Sequence, residues 1–506
     1  MKNDFTNDLS LEDIINYENL LKTEPEEYWI EKGESMALGL FRQMSKRVPA
    51  YKDFLKTNNV DPSLINTIAD FKNVPTLDKD NYLRKYPRES LFFDSKFSDK
   101  QWIISTTSGS TGEPYYFPRN HKQDLQYALS AELYLRSNFQ IQNLKTLYIV
   151  AFPMGAWIGG LFTYEALKII ASRSNYSLSI ITTGIHKQEI ISAVKQMGKD
   201  FDQIIIGSYA PFLKDVIDDG YREGINWKDY KLGFIFSAEA FTEKFRDFVL
   251  DSTNTTDELK STLNHYGTVD LGTMAHETPE SIFIRRELVK SNRLNMIFPE
   301  KHRQPTFSQY NPEQFYFEEV DNNLICSSYS GIPLVRYDLK DYGGLIKRDD
   351  LHKNLLKNNI DVNKAAIKTN IVESFKNLPF VFIYERNDFS VSYYAFQIYP
   401  DTIRRALQSI QLSAVLTGKF TMKVEYNDEG RQELIIHIEL KHAVEMTLDL
   451  NKTVKEHIHD LLINESSEYR ETFKMIGDPT IPIVYLWQYE ETEYFRPGTK
   501  QRWVIK

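Results

Sequence analysis

Cysteine is almost missing from this 506-residue sequence, since Cys326 is its single example. One cysteine excludes an internal disulfide framework, and its place in an apolar run predicts a core residue rather than a nucleophile. Basic residues are not in excess either, because 61 Lys plus Arg stand against 70 Asp plus Glu, for a net charge of −9. Such a chain has no basic field for a phosphate backbone, so we expect no nucleic-acid partner.

Targeting and membrane-spanning patterns are missing as well. The start, MKNDFTNDLSLEDII, carries acids before any apolar run, unlike a signal peptide, and favours a reducing, cytoplasmic setting. The uncharged stretch TLYIVAFPMGAWIGGLFTY (146–164) approaches the ~20 residues of a spanning helix. Pro153, Gly155, Gly159 and Gly160 would break that helix. We therefore predict a buried strand, a turn and a helix here, and no membrane partner.

What is present is typical of a globular α/β protein, with 42% hydrophobic and 13% aromatic residues. A helical lead-in is predicted over residues 1–95. From residue 100, short apolar runs (WIISTTSGS, TLYIVAF, LSIITTG, DQIIIGSY, KLGFIF) alternate with helices, which indicates mainly parallel, buried strands. A smaller antiparallel part follows after about residue 310. We predict a large N-terminal domain over 1–386 and a small α+β domain over 387–506. The polar segment 347–370 is an insertion, either solvated or partner-binding.

The most informative segment is STTSGSTGEP (105–114), directly after the apolar run WII. Small residues let the backbone approach a ligand closely, and clustered hydroxyl and N–H groups suit phosphate oxygens. The segment lacks the GK[ST] ending of an NTPase P-loop. It therefore predicts a nucleotide-phosphate site without ordinary NTPase chemistry, although such loops also occur as flexible linkers.

This loop resembles the phosphate loop, roughly [ST]SG[ST]TGxPK, of the adenylate-forming superfamily of acyl-CoA synthetases, luciferases and peptide-synthetase adenylation domains. The order of later motifs, over nearly the whole chain, is most similar to the phenylacetate-CoA ligase branch. The resemblance implies ATP binding by the loop and a mobile small domain. The family's lysine after proline is Tyr115 here. The matching residues are Thr107, Ser108, Gly109, Ser110, Thr111, Gly112 and Pro114.

Two further motifs imply contacts with the adenine ring. Ser237, Ala238 and Glu239 follow the run KLGFIF, where this branch has Gly-Ala-Glu beside the adenine. The carboxyl ends of parallel strands form the ligand crevice, so the placement is physically reasonable. In HYGTVD, which resembles the family's YGx[TS]E, Tyr266 would stack on adenine and Gly267 would allow close approach.

The same motif departs from the family pattern at two positions. Val269 stands where a hydroxyl residue usually contacts the α-phosphate, and Thr268 is a candidate to supply that hydroxyl. Asp270 replaces the glutamate that holds magnesium. Its carboxylate is one methylene shorter but is still a hard oxygen ligand suited to Mg²⁺.

The remaining nucleotide and hinge positions lie further along the chain. RYDLKD resembles the family's RYRTGD, which implies that Asp341 accepts both ribose hydroxyls. ERNDFSVSYYAFQIYPDTI is similar to GRxDDxxxxRGxNVFPxxIE, which implies a ribose and linker contact for Arg386 and a hinge at Asp388. Tyr394 and Ala395 replace the Arg-Gly that lines the pantetheine passage, and the added methyl would narrow that passage.

The segment FRPGTKQRWVIK resembles the family's PRTxSGKxxR and implies that Lys500 is the catalytic lysine. A flexible ammonium group can reach the acid's carboxylate and the bridging phosphate oxygen, and can neutralise the charge that develops between them.

The resemblance implies a reaction in two steps. A carboxylic acid attacks ATP with magnesium, which gives an acyl-adenylate and pyrophosphate, and a thiol, in this branch usually that of coenzyme A, then displaces AMP. Three alternatives stay open: transfer to an amine or a carrier-protein thiol, transfer to another nucleophile, and a non-catalytic nucleotide- or acyl-binding protein.

The acid itself is expected in the loops after the strands. Their aromatic and small residues favour an aryl or other mainly apolar acid, with interior packing as the alternative interpretation. The predicted pocket residues are Phe152, Trp157, Ser208, Tyr209 and Ala210.

Overall fold

A computed structural model gives the fold over most of the chain. The part of the chain that it describes comprises residues 10–98, 101–107, 115–156, 158–173, 175–237, 240–300, 303–384, 390–393, 396–426, 432–497 and 501–505.

Helices and short helical turns make up the lead-in. Ser10 caps the first helix: its Oγ accepts a hydrogen bond from the backbone N–H of Asp13, and the Asp13 carboxylate accepts one from the backbone N–H of Ser10. Two otherwise unpaired donors are thus satisfied. Single helical turns follow, among them Lys79–Leu83. The helices of the lead-in are α1 (Leu11–Thr23), α2 (Glu26–Arg47), α3 (Pro49–Thr57) and α4 (Ile68–Phe71). Helices α2 to α4 pack on the antiparallel end of the main sheet as a side layer, with Phe41 and Tyr51 in the same core as Tyr337. Helix α1 packs elsewhere, with Ile14 and Leu21 against Leu129 and Leu133.

The next stretch alternates strands and helices, as predicted. Its elements are β1 (Ile103–Thr106), β2 (Tyr116–Arg119), α5 (His121–Phe139), β3 (Thr146–Ala151), α6 (Ile158–Arg173), β4 (Leu178–Ile181), α7 (Lys187–Met197), β5 (Gln203–Ser208), α8 (Ala210–Arg222), β6 (Leu232–Phe236), α9 (Glu243–Thr253), β7 (Thr262–Thr268), β8 (Gly272–His276) and α10 (Pro279–Lys290).

Antiparallel strands complete the large part of the molecule. They and two intervening helices are β9 (Thr306–Tyr310), β10 (Tyr316–Val320), β11 (Asn323–Ser328), β12 (Leu334–Ile346), α11 (Arg348–Lys357), α12 (Val362–Thr369) and β13 (Phe380–Ile383). The polar segment 347–370 thus forms α11 and α12, and its apolar face packs inward through Leu351 and Ala366. Arg348 and His352 both contact the buried carboxylate of Glu280 on α10.

One mixed sheet of 11 strands organises this part, in the order β10-β11-β12-β13-β9-β8-β7-β6-β5-β3-β4. Strands β3 to β7 are parallel, and pairing is antiparallel from β7 to β10. Alternate residues of the parallel strands face opposite helical layers, with Ile149 and Ile204 towards α7 and α8 and with Tyr148 and Ile205 towards α5 and α6. The predicted α/β fold is confirmed. Cys326 is buried on β11, as predicted for a core residue.

One predicted strand pairs differently. The run WIISTTSGS was expected among the buried parallel strands, but β1 pairs antiparallel with β2 in a separate two-stranded sheet. Its Ile103 and Ile104 are 40% and 45% exposed. The physical reason is local. Two strands joined by a short loop can pair at a small entropic cost of loop closure. Neither strand of this hairpin has to be buried on both faces, as a strand inside the main sheet does.

The C-terminal part is a separate α+β unit. Its three-stranded sheet has the order β16-β17-β18, and its core includes Phe420, Ile436 and Trp503. Its elements are β14 (Val391–Tyr393), β15 (Phe396–Ile398), α13 (Pro400–Leu407), α14 (Ile410–Ser413), β16 (Leu416–Tyr426), β17 (Gln432–Leu440), α15 (Leu448–Glu465), α16 (Ser467–Ile476) and β18 (Ile483–Trp487). No helix within the described ranges is long and apolar enough to cross a membrane.

Charged side chains join the two parts. Lys419 of β16 pairs with Asp215 of α8, and its ammonium also lies 3.2 Å from Glu439 Oε2. Lys441 lies 3.4 Å from Asp218 on the same helix. Although burial opposes it, the two carboxylates beside Lys419 raise the pKa of its ammonium above the ordinary value, so the group is charged where it lies.

Candidate active site

The carboxyl ends of four parallel strands lie in one row. Ala151, Ser208, Phe236 and Asn264 are successive register partners across β3, β5, β6 and β7. The residues that directly follow β3, β5 and β6 are predicted site residues, and β7 continues past the row to Thr268. This edge is where ligands bind in open α/β sheets, so the structure brings the predicted adenine and acid contacts to one edge.

Of the predicted acid-pocket residues, Phe152, Ser208 and Ala210 are buried, whereas Tyr209 is half-buried. The rings of Phe152 and Tyr209 meet edge to face with 5.8 Å between centroids. Gly207 makes this possible, because a Cβ there would lie 2.9 Å from the Phe152 ring. Among the predicted pocket residues that the structure describes, Tyr209 therefore has the exposed surface that a ligand could contact.

The residues that flank the predicted phosphate loop form a fixed base. Thr107 and Tyr115, which flank it, are joined by two hydrogen bonds: Thr107 N–H donates to the Tyr115 carbonyl at 3.0 Å, and Tyr115 N–H donates to Thr107 Oγ1 at 3.0 Å. Thr106 N–H donates to the Ala156 carbonyl at 2.9 Å. The base of the loop is thus tied to the segment after β3, where an acid pocket is predicted.

Tyr266 and Asp341 meet although they lie 75 positions apart. The Tyr266 hydroxyl donates to Asp341 Oδ2 at 2.7 Å, and the Tyr266 ring stacks near Phe317 with 6.2 Å between centroids. Burial and the Asp341 carboxylate raise the pKa of Tyr266 well above its ordinary value, so the hydroxyl keeps its proton and remains a donor. The residues predicted for adenine and ribose therefore form one polar contact.

Gly267 and Thr268, the last two residues of β7, each make a close contact within the fold. A Cβ at Gly267 would lie 2.7 Å from the Gly272 carbonyl oxygen, so the close approach that requires glycine is made by β8. Thr268 Oγ1 accepts a hydrogen bond from Leu271 N–H at 3.2 Å. Val269 packs half-buried against the core beneath the lead-in helices.

Asp270, the predicted magnesium ligand, is buried beside a positive charge. Its Oδ2 lies 3.2 Å from the ammonium of Lys79 and accepts a hydrogen bond from the Tyr337 hydroxyl. Burial and this carboxylate raise the pKa of Tyr337 well above the ordinary range, so the phenol is a stable donor. No cluster of three or more His, Cys, Asp or Glu that could hold a metal ion occurs among the described residues.

A magnesium ion bound with a nucleotide needs only one or two carboxylates, because the phosphates supply other ligands. Asp270 fits that role as a single hard ligand if it shares its carboxylate with, or gives up, Lys79. The sequence did not indicate Lys79 or Tyr337, since no local pattern marks a lysine 191 positions before its partner or a tyrosine 67 positions after it.

Ser237 follows β6 and is half-buried, at the edge where the adenine contact is predicted. The remaining predicted residues lie outside the described part of the chain: Ser108, Gly109, Ser110, Thr111, Gly112, Pro114, Trp157, Ala238, Glu239, Arg386, Asp388, Tyr394, Ala395 and Lys500.

The residues after Lys500 are held on the small domain. Gln501 Nε2 donates to the Phe420 carbonyl at 2.9 Å. Met422 N–H donates to the Trp503 carbonyl, and Ile505 N–H donates to the Met422 carbonyl, both at 2.9 Å. Residues 501–505 thus lie along β16, which fixes one side of the predicted lysine loop.

A cleft of about 360 Å³ lies elsewhere, at the amino ends of β5 and β6, and is lined by Gly198, Phe201, Asp202 and Tyr230 among others. Because it is on the opposite edge of the sheet, it is separate from the candidate site.

Comparison with known proteins finds similarity in structure. No family model and no curated protein matches the chain. A 2-hydroxyisobutyryl-CoA ligase in its postadenylation state, in complex with 2-HIB-AMP, is 14% identical, with a TM-score of 0.67 over 96% of this chain and 91% of that chain. The same ligase in its thioesterification state, with CoA, gives a TM-score of 0.53 at 14% identity over 96% and 91%.

An acyl acid amido synthetase, AtGH3.15, in complex with 2,4-DB is also similar. It is 14% identical, with a TM-score of 0.60 over 100% of this chain and 95% of that chain. At these identities the likeness concerns the fold, and it spans both parts of the chain. The chain therefore has the α/β fold of adenylate-forming ligases.

Proposed function

We propose that this protein is a ligase that activates a carboxylic acid with ATP and passes the acyl group to a thiol, with coenzyme A as the expected acceptor. The observation that carries the proposal is the Tyr266–Asp341 contact, at the sheet edge where Phe152, Tyr209 and Ser237 also lie. An adenosine site and an acid site at one edge are what adenylation requires, because the acid's carboxylate must reach the α-phosphate.

In the first step, an oxygen of the acid forms a bond to the α-phosphorus, and the bond to the bridging oxygen breaks to release pyrophosphate. Asp341 would hold the ribose, and the loop between Thr107 and Tyr115 would hold the phosphates through N–H and hydroxyl groups. Lys500 would neutralise the charge that develops on the reacting oxygens. Magnesium, when bound with the nucleotide, would be held by Asp270 and would offset phosphate charge.

In the second step, the thiol attacks the acyl carbon and AMP leaves. The small domain would carry Lys500 to the site for adenylation and turn away about Asp388 for transfer. Such a closure separates two reactions that need different groups. An aryl or other mainly apolar acid is the proposed substrate, because Phe152 and Tyr209 offer aromatic surface at the sheet edge.

Transfer to an amine is the second candidate. The similarity to an acyl acid amido synthetase over 100% of this chain supports it. Ala395 in place of the branch's glycine also supports it, because an added methyl in a passage for pantetheine costs roughly 1–3 kcal/mol where nothing relaxes. A carrier-protein thiol would meet the same passage.

The test is product identification by mass. The protein is incubated with ATP, Mg²⁺ and a panel of aryl and aliphatic acids, alone, with coenzyme A or with a set of amines. Acid-dependent pyrophosphate release with an acyl-AMP product supports adenylation. The acyl product formed in the presence of coenzyme A or of an amine then identifies the acceptor. Asp341→Asn should lower the release, whereas the control Asp350→Asn, an exposed acid on α11, should not. ATP binding without release under every condition would instead indicate a non-catalytic binding protein.

A further inference from the structure

Lys79 brings a cation close to β2, the strand that follows the predicted phosphate loop. Its ammonium lies 3.2 Å from Asp270 Oδ2 and 5.7 Å from the ring centre of Phe117 on β2, two residues past the loop base. The Lys79 side chain is 32% exposed, whereas that of Asp270 is 6% exposed. Lys79 is therefore the more exposed partner of the ion pair, and its flexible side chain can reach a ligand from there.

The helical turn that begins at Lys79 is fastened to the base of the same loop. Tyr115 directs its hydroxyl to the Leu83 carbonyl at 3.3 Å, at the other end of the turn Lys79–Leu83. Tyr115 stands where the resembling enzymes have a lysine after the loop's proline. The side chain at position 115 thus carries no positive charge. The helical turn that Tyr115 contacts does carry one, the ammonium of Lys79.

We infer that Lys79 is a phosphate-binding residue that supplies the positive charge missing at position 115. This inference rests on the proposed function, because it assigns the guest of the loop as a nucleotide polyphosphate or its pyrophosphate product. A lysine ammonium is a compact charge on a flexible stem with three donors, so it can exchange one carboxylate for several phosphate oxygens. Asp270 then acts as the group that holds Lys79 in place before the phosphates arrive.

The experiment measures binding of inorganic pyrophosphate by calorimetry at low salt with excess EDTA, so that no divalent metal contributes. Wild type is expected to bind. Lys79→Met should weaken binding by about tenfold or more, a change of ~1.4 kcal/mol. Lys79→Arg should retain most of it. Lys85→Met removes a charge two residues beyond the same turn, where the side chain is exposed, and should match wild type.

A second variant keeps Lys79 and is expected to change pyrophosphate affinity in the opposite direction. Asp270→Asn removes the carboxylate that competes for the ammonium and repels phosphate, so metal-free pyrophosphate binding should tighten by severalfold. Circular dichroism and the melting temperature of each variant verify folding.

Equal pyrophosphate binding by wild type and Lys79→Met, or no binding by wild type in EDTA, would overturn the inference. It would then leave the Lys79–Asp270 pair as a purely structural link. If Lys79-dependent binding is seen but the acid panel gives no pyrophosphate release, the inference stands and the proposed adenylation fails. The two proposals can therefore be judged separately.

Discussion

At the scale of single residues, the contact between Tyr266 and Asp341 offers the sharpest test of the adenosine site. Tyr266→Phe keeps the ring for stacking but removes the hydrogen bond that orients the carboxylate. A hydrogen bond to a charged group contributes about 1.5–3 kcal/mol. Because this one positions the carboxylate and does not itself contact ATP, we expect only part of that energy to appear in binding and ATP affinity to fall about three- to tenfold. Calorimetric titration with ATP measures this. Tyr310→Phe, which alters a tyrosine packed on the same Phe317 ring, should bind ATP as wild type does.

His265 makes a prediction about acid stability. Burial among the rings of Tyr127 and Tyr134 lowers the pKa of His265 to about 3, against an ordinary value near 6.5. Between these two values the unfolded chain binds a proton that the folded chain does not. The free energy of unfolding therefore falls as the pH drops from 6.5 towards 3. Above pH 6.5, the neutral His265 no longer lowers the free energy of unfolding.

His265→Phe should flatten that fall, since one proton accounts for a slope of up to about 1.4 kcal/mol per pH unit. Urea unfolding at pH 7.5 and at pH 5 measures the slope in both proteins. His276, whose pKa burial also lowers to about 3, would still contribute in the variant. Identical slopes in wild type and variant would contradict the assignment of a neutral buried imidazole to His265.

Sequence reasoning at this scale used motifs that combine residue type with order along the chain. It predicted that Tyr266 and Asp341 contact one nucleotide, and the structure shows the two side chains in contact, whereas their roles in binding stay predictions. It failed for Lys79, because the contact with Asp270 depends on how the lead-in packs and no local pattern encodes it. It also gave Gly267 a ligand-facing reason, whereas the tightest neighbour of that glycine is β8.

At the scale of elements, the strip of residues 501–505 along β16 bears on the predicted lysine. In this strip, Gln501 Nε2 donates a hydrogen bond to the Phe420 carbonyl, so the described residues that follow Lys500 in sequence are held on β16. Lys500→Ala should depress adenylation by on the order of 10²–10³, because the ammonium acts on charge that develops in the transition state. ATP binding should change little. Acid-dependent pyrophosphate release and ATP titration measure the two effects, and near-normal release would remove Lys500 from the mechanism.

Strand and helix predictions succeeded where apolar runs alternate with amphipathic segments. The runs around β3, β5 and β6 became buried parallel strands, since each is apolar on both faces. The run before the phosphate loop did not join them, because pairing with β2 is closer in sequence and Ile103 and Ile104 tolerate exposure. Apolar content alone does not distinguish these two outcomes.

At the scale of the whole molecule, charged side chains contribute to the contact between the two parts. Lys419 is flanked by Asp215 of the large part and Glu439 of its own sheet. Lys419→Met would leave two buried carboxylates without their cation, so we expect the small domain to detach more readily. Small-angle scattering should show a larger radius of gyration. Lys423→Met, on the same strand but paired with Glu425 inside the small domain, should keep the wild-type radius.

An unchanged radius for Lys419→Met would mean that other contacts fix the arrangement. The described contacts of this kind include the pair of Lys187 with Glu490 and the hydrogen bond from Thr242 to Gln408. The sequence predicted two parts but not this arrangement, because partners such as Lys441 and Asp218 are ordinary charged residues until the fold brings them together.

The charged character of this junction has a consequence for solubility. If the small domain turns away during turnover, as proposed above, the junction is exposed repeatedly, and exposed apolar patches are aggregation liabilities. Here separation would uncover Lys419, Lys441, Asp215 and Asp218, which water solvates well. Each domain keeps its own apolar core closed when they part. The chain would thus pass through its open form without presenting a surface that adheres to other copies.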